Sequence, residues 1–265
     1  MKDFMGKIAV ITGAASGIGR AVSLAFADRG ANLVMADMNE AALVAARRDV
    51  EARGVEAISV LTDVTQQASV EVLADAAWAR FGAVHIVHNN AGVLIRAPML
   101  DADEKDWDWI LSVNLWGVVH GVRAFVPRML DAGEPGHIVN TASVAGHFAG
   151  DLYGVYNTSK FAVVGLTESL SRELRNTPIG VSMLCPSQVE TGIFTNKTRP
   201  EAYRKDVAIT EVERRHSENV MLPEEVAAKV LAGIEDGALY IFTHPEESQP
   251  MLAKRYDRMM KAHGN

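Results

Sequence analysis

Tyr156 and Lys160 stand four residues apart in the stretch YNTSK, one turn apart on the helix that residues 154–176 predict. Such a pair can do acid–base chemistry. A phenol titrates at about 10 in water, too high for a free base at neutral pH. An ammonium one helical turn away stabilises the phenolate and is expected to lower that value, which is what general acid–base catalysis requires. The plain alternative is a surface tyrosine and lysine sharing a helix face. Ser143, at the end of the apolar run GHIVNTAS, adds a hydroxyl able to hydrogen-bond a reacting oxygen. A second kind of chemistry is written in ITGAASGIGRAV, where Gly13, Gly17 and Gly19 link an apolar run to a helical pattern. Glycines let a backbone turn tightly and approach a pyrophosphate, and a helix start offers free N–H groups and positive potential. An ordinary Gly-rich strand-to-helix turn is the alternative here.

These residues need elements to hold them. Apolar runs at 7–12, 31–37, 56–62, 84–89, 136–143, 179–185 and 238–243 read as strands. Most are near-continuous rather than alternating, as in strands covered on both faces. Amphipathic stretches at 17–29, 39–53, 66–81, 103–131, 154–176 and 223–236 read as helices, with Asn39 and Pro223 as helix starts. Strand–helix alternation predicts an α/β fold: a doubly wound parallel sheet with right-handed crossovers and helices on both faces. No Gly/Ser/Pro-rich linker divides the chain, so residues 1–265 are expected to form a single domain. Two segments break the rhythm. Residues 187–222 make a polar stretch too long for an ordinary connection, hence a candidate substrate-binding loop or lid. Residues 244–265 form a tail in which MLAKRYDRMMKA predicts a short basic helix, solvated or in contact with another subunit.

Composition narrows the field. The chain of 265 residues is 48% hydrophobic, enough for a sizeable core. A formal net charge of -7 argues against general nucleic-acid or anionic-membrane binding. Cys185 is the lone cysteine, which rules out an intrachain disulfide and a cysteine metal cluster, and the eight histidines show no metal-binding spacing. MKDFMGKIAVITG turns strand-like at once, without an apolar signal region, and apolar runs are broken before bilayer length. A soluble, cytoplasmic protein is expected, without a metal.

Asp37 ends the second predicted strand, eighteen residues past Gly19. A carboxylate there accepts hydrogen bonds from both hydroxyls of an adenosine ribose and repels a 2′-phosphate. No basic residue follows in DMNEAA and none sits inside the glycine loop, so NAD is favoured over NADP. A helix-capping aspartate is the alternative.

Taken together, Thr12-Gly13-x-x-x-Gly17-x-Gly19, the NNAG of 89–92, Ser143 and Tyr156-x-x-x-Lys160 resemble the short-chain dehydrogenase/reductase family in order and spacing over residues 7–192. The resemblance implies a Rossmann-type, seven-stranded parallel sheet with NAD lying across the carboxyl ends of its strands. It implies a cofactor site made of Gly13, Ser16, Gly17, Ile18, Gly19, Asp37 and Met38, with Asp63 and Val64 at the adenine. Asn90, Ala91, Gly92, Tyr156, Lys160, Pro186, Val189 and Thr191 complete it. It also implies a catalytic set: Ser143 orients the substrate oxygen, Tyr156 moves the proton, and Lys160 holds the nicotinamide ribose. Asn114 would order a water that links Lys160 to solvent. The cationic nicotinamide would assist Lys160 in lowering the tyrosine's pKa. Read by themselves, Asp63 is equally a turn or capping residue and Asn114 equally a satisfied helix-interior amide. In CPSQVETGI, Ser187 replaces the family's usual glycine, and its Cβ is expected to reshape the entrance to the loop.

The activity implied is hydride transfer between a secondary alcohol and a ketone. Two other readings are an NAD-binding module without turnover and an epimerase that retains its NAD. Ile193, Phe194, Tyr203, Met221 and the stretches 93–100 and 144–153 suggest a bulky, hydrophobic or aryl substrate. MKDF, VPRML…PGHIV and EDGALYI are similar to segments of bacterial aryl-alcohol Cα-dehydrogenases. His88 reads as a packed strand residue, His147 as loop filler, and Trp107, Trp109 and Trp116 as packing or interface. In the family the long helices pair between subunits, so a homotetramer is expected.

Overall fold

The computed structural model describes residues 1–195 and 219–264. Seven strands form one parallel sheet: β1 (Ile8–Thr12), β2 (Asn32–Asp37), β3 (Ala57–Leu61), β4 (Ile86–Asn89), β5 (Gly136–Thr141), β6 (Ile179–Cys185) and β7 (Tyr240–Phe242). Their order is β3-β2-β1-β4-β5-β6-β7. The chain winds outward in one direction from β1 to β3, then restarts at β4 on the other side of β1. That reversal opens a crevice at the carboxyl ends of β1 and β4, where doubly wound sheets of the Rossmann type bind ligands.

Helices cover both faces. On one side, α1 (Gly17–Asp28), α2 (Glu40–Glu51) and α7 (Pro223–Asp236) bury Val22, Phe26, Leu43, Val50, Val230 and Ile234 against Ile11, Leu33 and Val139. On the other, α3 (Gln67–Phe81), α4 (Glu104–Leu111), α5 (Gly117–Ala132) and α6 (Gly154–Glu173) bury Leu73, Trp109, Phe125 and Leu170 against Val10, Val87, Ile138 and Val181. Every residue of β1 and β5 is buried, which explains the unbroken apolar runs. The expected single helix at 103–131 differs in detail. A π turn at Ser112–Trp116 separates α4 from α5 and widens the helix where Asn114 turns inward. By length and composition Glu104–Ala132 would suit a membrane, but 61% of its most apolar window is buried inside the protein.

The tail forms α8 (Pro245–Lys261), longer than the predicted helix and with Ser248 as its buried residue. The ends of the 187–222 segment are clipped together, since Val189 bridges Met221 and Glu190 N donates to Met221 O at 3.0 Å. The middle of that segment, 196–218, including Tyr203, lies outside the described residues.

Candidate active site

The glycine loop runs from β1 into α1. Gly13 and Gly17 have φ of +67° and +51°, left-handed values that suit glycine. Gly19 is needed for closeness instead: a Cβ there would collide with the Gly13 carbonyl oxygen and stand 2.6 Å from Asn90 Nδ2. Ser16 occupies the N-cap of α1 without a side-chain capping bond, and the first turn holds no acidic residue. The helix start therefore presents N–H groups and positive potential to the crevice. Ile18 packs partly against the core beneath the loop. Thr191, far away in sequence, closes over Gly17, whose Cβ would lie 3.1 Å from Thr191 Cγ2. Gly17, Arg20, Glu190, Thr191, Gly192, Pro223 and Glu224 line one open cleft there.

Asp37 sits beside this loop. Its Oδ2 accepts from Ala15 N at 3.1 Å and its Oδ1 from Asn39 N at 2.9 Å. The cap of α2 is Asn39, whose side chain accepts from Ala42 N at 3.1 Å, so Asp37 is not a capping residue. Each carboxylate oxygen keeps acceptor capacity for a diol. Met38 beside it is 56% exposed. Asp63 serves its own turn, with Oδ1 accepting from Thr65 N at 2.9 Å and Thr65 Oγ1 at 2.8 Å. Val64 is buried, and its carbonyl accepts from His120 Nδ1 at 2.8 Å.

β4 delivers Asn90, Ala91 and Gly92 to the same edge. Asn90 N and Ala91 N donate to Thr12 Oγ1 at 2.9 and 3.1 Å, and Asn90 Nδ2 donates to Thr12 O at 2.9 Å. Gly92 lies against both Asn114 and Lys160: an added Cβ would be 3.5 Å from Asn114 Oδ1 and 3.7 Å from Lys160 Nζ.

Ser143 ends just beyond β5, where its Oγ donates to Pro186 O at 3.2 Å and accepts from Ala145 N at 3.1 Å. Tyr156 opens α6 beside it, close enough for Ser143 to lower the phenol's pKa. Lys160 is buried, donates to Thr141 O at 2.9 Å, and places Nζ 5.6 Å from the centre of the Tyr156 ring. The three residues expected to do the chemistry are thus together. Asn114 is fully buried beside them, but its side chain is spent on protein groups. Oδ1 accepts from Val93 N at 2.8 Å, and Nδ2 donates to Val93 O at 2.9 Å and Ser159 Oγ at 3.1 Å. A water would have to use its main chain.

The electrostatics correct one expectation. Tyr156 keeps partial surface exposure, yet the protein packed around the phenol pushes its pKa up to about 12. Desolvation outweighs the Ser143 hydrogen bond that lowers it, with Tyr153 adding a smaller upward push. Lys160 does not pull it down, because its ammonium faces the ring and is held by the Thr141 carbonyl. Burial draws Lys160 itself down to about 8, partly opposed by Cys185. At Ser187 the backbone takes no left-handed turn, since among the described residues only Leu152 combines a side chain with positive φ. The Ser187 N–H donates to Thr243 Oγ1 at 3.0 Å.

A sequence model of the short chain dehydrogenase family matches residues 7–202. The chain belongs to the short-chain dehydrogenase family. A C alpha-dehydrogenase of Sphingobium is 35% identical over 254 residues, covering 93% of this chain and 83% of the relative. A 1-deoxy-11-beta-hydroxypentalenate dehydrogenase of Streptomyces avermitilis is 36% identical over 251 residues, covering 94% and 88%. A solved short-chain dehydrogenase/reductase from Burkholderia phymatum, in complex with NAD, superposes with a TM-score of 0.94 at 42% identity, covering 98% of this chain and 97% of that one.

For a short-chain dehydrogenase the sequence reading left out hydroxyls that the fold uses. Ser159 accepts from Asn114 and donates to Tyr156 O at 2.7 Å. Thr141 supplies the carbonyl for Lys160. His147, taken as loop filler, is buried, with Nε2 3.2 Å from Cys185 Sγ. The available signal was polarity at buried positions at the end of β5, just beyond it, and within α6.

Proposed function

We propose that this dehydrogenase interconverts a bulky secondary alcohol and its ketone, using NAD. The observation that carries the reading is the convergence of Ser143, Tyr156 and Lys160 beside a glycine loop whose neighbouring acid is Asp37. The residues fit a dinucleotide: the uncapped start of α1 suits its pyrophosphate and the Asp37 carboxylate its ribose hydroxyls. Gly13, Ser16, Gly17, Ile18 and Gly19 would hold the phosphates, and Asp37, Met38, Asp63 and Val64 the adenosine. Asn90, Ala91, Gly92, Tyr156, Lys160, Pro186, Val189 and Thr191 would hold the nicotinamide end. When bound, NAD supplies the hydride acceptor.

Ser143 Oγ would turn its proton from Pro186 O to the substrate oxygen and fix that oxygen's place. Tyr156 takes the hydroxyl proton at its phenolic oxygen during oxidation and returns it during reduction. Lys160, anchored on Thr141 O, would hold the nicotinamide ribose, and Asn114 holds the Val93 loop and Ser159 in place beside it. Buried Leu94 and Ile95 and the 144–153 segment give the substrate side an apolar character suited to a bulky or aryl group. The similar Cα-dehydrogenase points the same way. We also infer a homotetramer, whose contacts would cover exposed Trp116 and the edge strand β7.

The test is absorbance at 340 nm with NAD or NADP and a panel of aryl and alicyclic secondary alcohols, run beside Tyr156→Phe. NAD-linked turnover is expected to fall about 10²- to 10⁴-fold in the variant, while NADH still binds. Rates unchanged in Tyr156→Phe would refute the mechanism. Binding without turnover across the panel would favour a silent module.

A further inference from the structure

His88 is completely buried in β4, and the chemistry above does not use it. It pairs in register with Val139 of β5, which brings its ring under Thr141, two residues further along the same face. His88 Nε2 lies 2.8 Å from Thr141 Oγ1, and Thr141 Oγ1 reaches Asn90 Oδ1 at 3.4 Å. Asn90 Nδ2 donates to Thr12 O at 2.9 Å, and Thr12 Oγ1 reaches back to His88 O at 3.5 Å. A ring of hydrogen bonds therefore crosses β1, β4 and β5 beneath the site.

Its directions are fixed by elimination. Thr12 O can only accept, so Asn90 turns its amide nitrogen that way and its oxygen toward Thr141. Thr141 then donates to Asn90 and must accept from His88. His88 consequently carries its proton on Nε2, leaving Nδ1, which has no partner, as a bare lone pair. The opposite tautomer would bury an unsatisfied N–H, the costlier defect. Burial holds the ring neutral by lowering its pKa to about 3, so this donor persists throughout the neutral range.

We propose that His88 is a positioning residue of the dehydrogenase site. Through Thr141 it fixes two things together: the strand end whose carbonyl receives Lys160, and the Asn90 amide that supports the glycine loop at Thr12 and Gly13. The proposal rests on the NAD-dehydrogenase reading above and adds a residue to it. A leucine at 88 would fill similar space and remove the donor, leaving Thr141 free to turn away and Asn90 Oδ1 without a fixed donor.

The experiment compares His88→Leu, Thr141→Val, the double variant and His88→Gln with wild type. NADH affinity is read by fluorescence titration, the pH profile of kcat/KM by steady-state kinetics, and folding by thermal melting. Thr141→Val is nearly isosteric and keeps the test open should His88→Leu fold poorly. Each single variant is expected to weaken NADH binding about tenfold, the scale of one buried hydrogen bond whose partner is left unpaired, and to change how kcat/KM rises with pH. The double variant should be no worse than either single one, because both cut the same link. His88→Gln, which restores an N–H donor, should recover most of the affinity. Lower melting temperatures with wild-type affinity and pH profile would reduce His88 to core packing and overturn the proposal, as would additive losses or no rescue by glutamine. Wild type failing to bind NADH would instead sink the cofactor reading beneath it.

Discussion

Gly19→Ala adds one methyl group at the point where the nucleotide loop and the central strands meet. In the present backbone that carbon would collide with the Gly13 carbonyl oxygen, 2.8 Å from the carbonyl carbon and 2.6 Å from Asn90 Nδ2. Ordinary carbon–oxygen approach is about 3.3–3.6 Å, so the loop must open by roughly 1 Å. Neither neighbour can yield freely. Gly13 already sits at φ +67°, and the Asn90 amide is tied to Thr12 O at 2.9 Å. Overpacking of this kind costs about 1–3 kcal/mol, or roughly 2–4 °C of melting temperature per kcal/mol at this size. The same displacement moves the N–H groups expected to meet the pyrophosphate, and a shift of about 1 Å in a positioned site can lower rates by about 10²-fold. The assay is NADH titration by fluorescence with a thermal melt on the same preparation. Gly165→Ala is the control, since nothing lies within 4 Å of its added Cβ on α6. It should be neutral or stabilising by up to about 1 kcal/mol. Gly19→Ala binding NADH within about twofold of wild type, with an unchanged melt, would refute the close-approach argument.

Asp37→Ser removes the charge while keeping a hydroxyl near Ala15 N. NAD-linked kcat/KM should fall about tenfold or more, the scale of one charge-assisted hydrogen bond, and NADP should gain; an unmoved NAD/NADP ratio would show that Asp37 does not read the ribose. For alcohol oxidation, the Tyr156 pKa of about 12 means the base form grows with pH, so kcat/KM should keep rising from pH 6 to 9 rather than level off near 7. A flat profile measured in that window would contradict a proton held by this tyrosine. Acid stability carries its own signature. His88 and His137, lowered by burial to about 3 and about 4, stay neutral in the fold while their unfolded counterparts protonate below about 6.5. Their contribution is present above that value and is lost as pH falls from there toward the folded values, by up to roughly 1.4 kcal/mol per pH unit for each. Urea unfolding at pH 7, 6 and 5 checks the slope, which His88→Gln should reduce.

All seven strands were legible because a parallel sheet covered on both faces writes continuous apolar runs, and β1 and β5 are buried throughout. The glycine loop, Ser143, Tyr156 and Lys160 were legible because their spacing is local. What was not legible depends on the third dimension. The π turn at Ser112–Trp116 left no trace in a stretch apolar on both sides, and Asn114 was its lone signal. The Tyr156 pKa was expected to fall because a neighbouring charge shows in sequence, whereas the desolvation that reverses it does not. His88 and Thr141 are 53 residues apart and meet only through the β4–β5 register, so neither looked chemical alone.

The departures from good packing also point to the site, independently of any motif. Among the described residues, the buried polar atoms without partners are His88 Nδ1, Asn89 Oδ1, Arg96 Nε and Asn157 Oδ1. Three lie on β4 or the loop after it, and the fourth adjoins Tyr156. Among the described residues the one side chain at positive φ, Leu152 at +65°, precedes Tyr156 by four residues, and its carbonyl accepts from Ala97 N at 2.9 Å. The π turn is on the same edge, aiming Asn114 at Val93. A chain selected for stability alone would not gather its unpaired groups, strained backbone and irregular helix around one crevice, since each defect costs on the order of 1–3 kcal/mol. Their confinement to the carboxyl edge of β4 and the start of α6 is what a site held in working geometry by the rest of the fold requires.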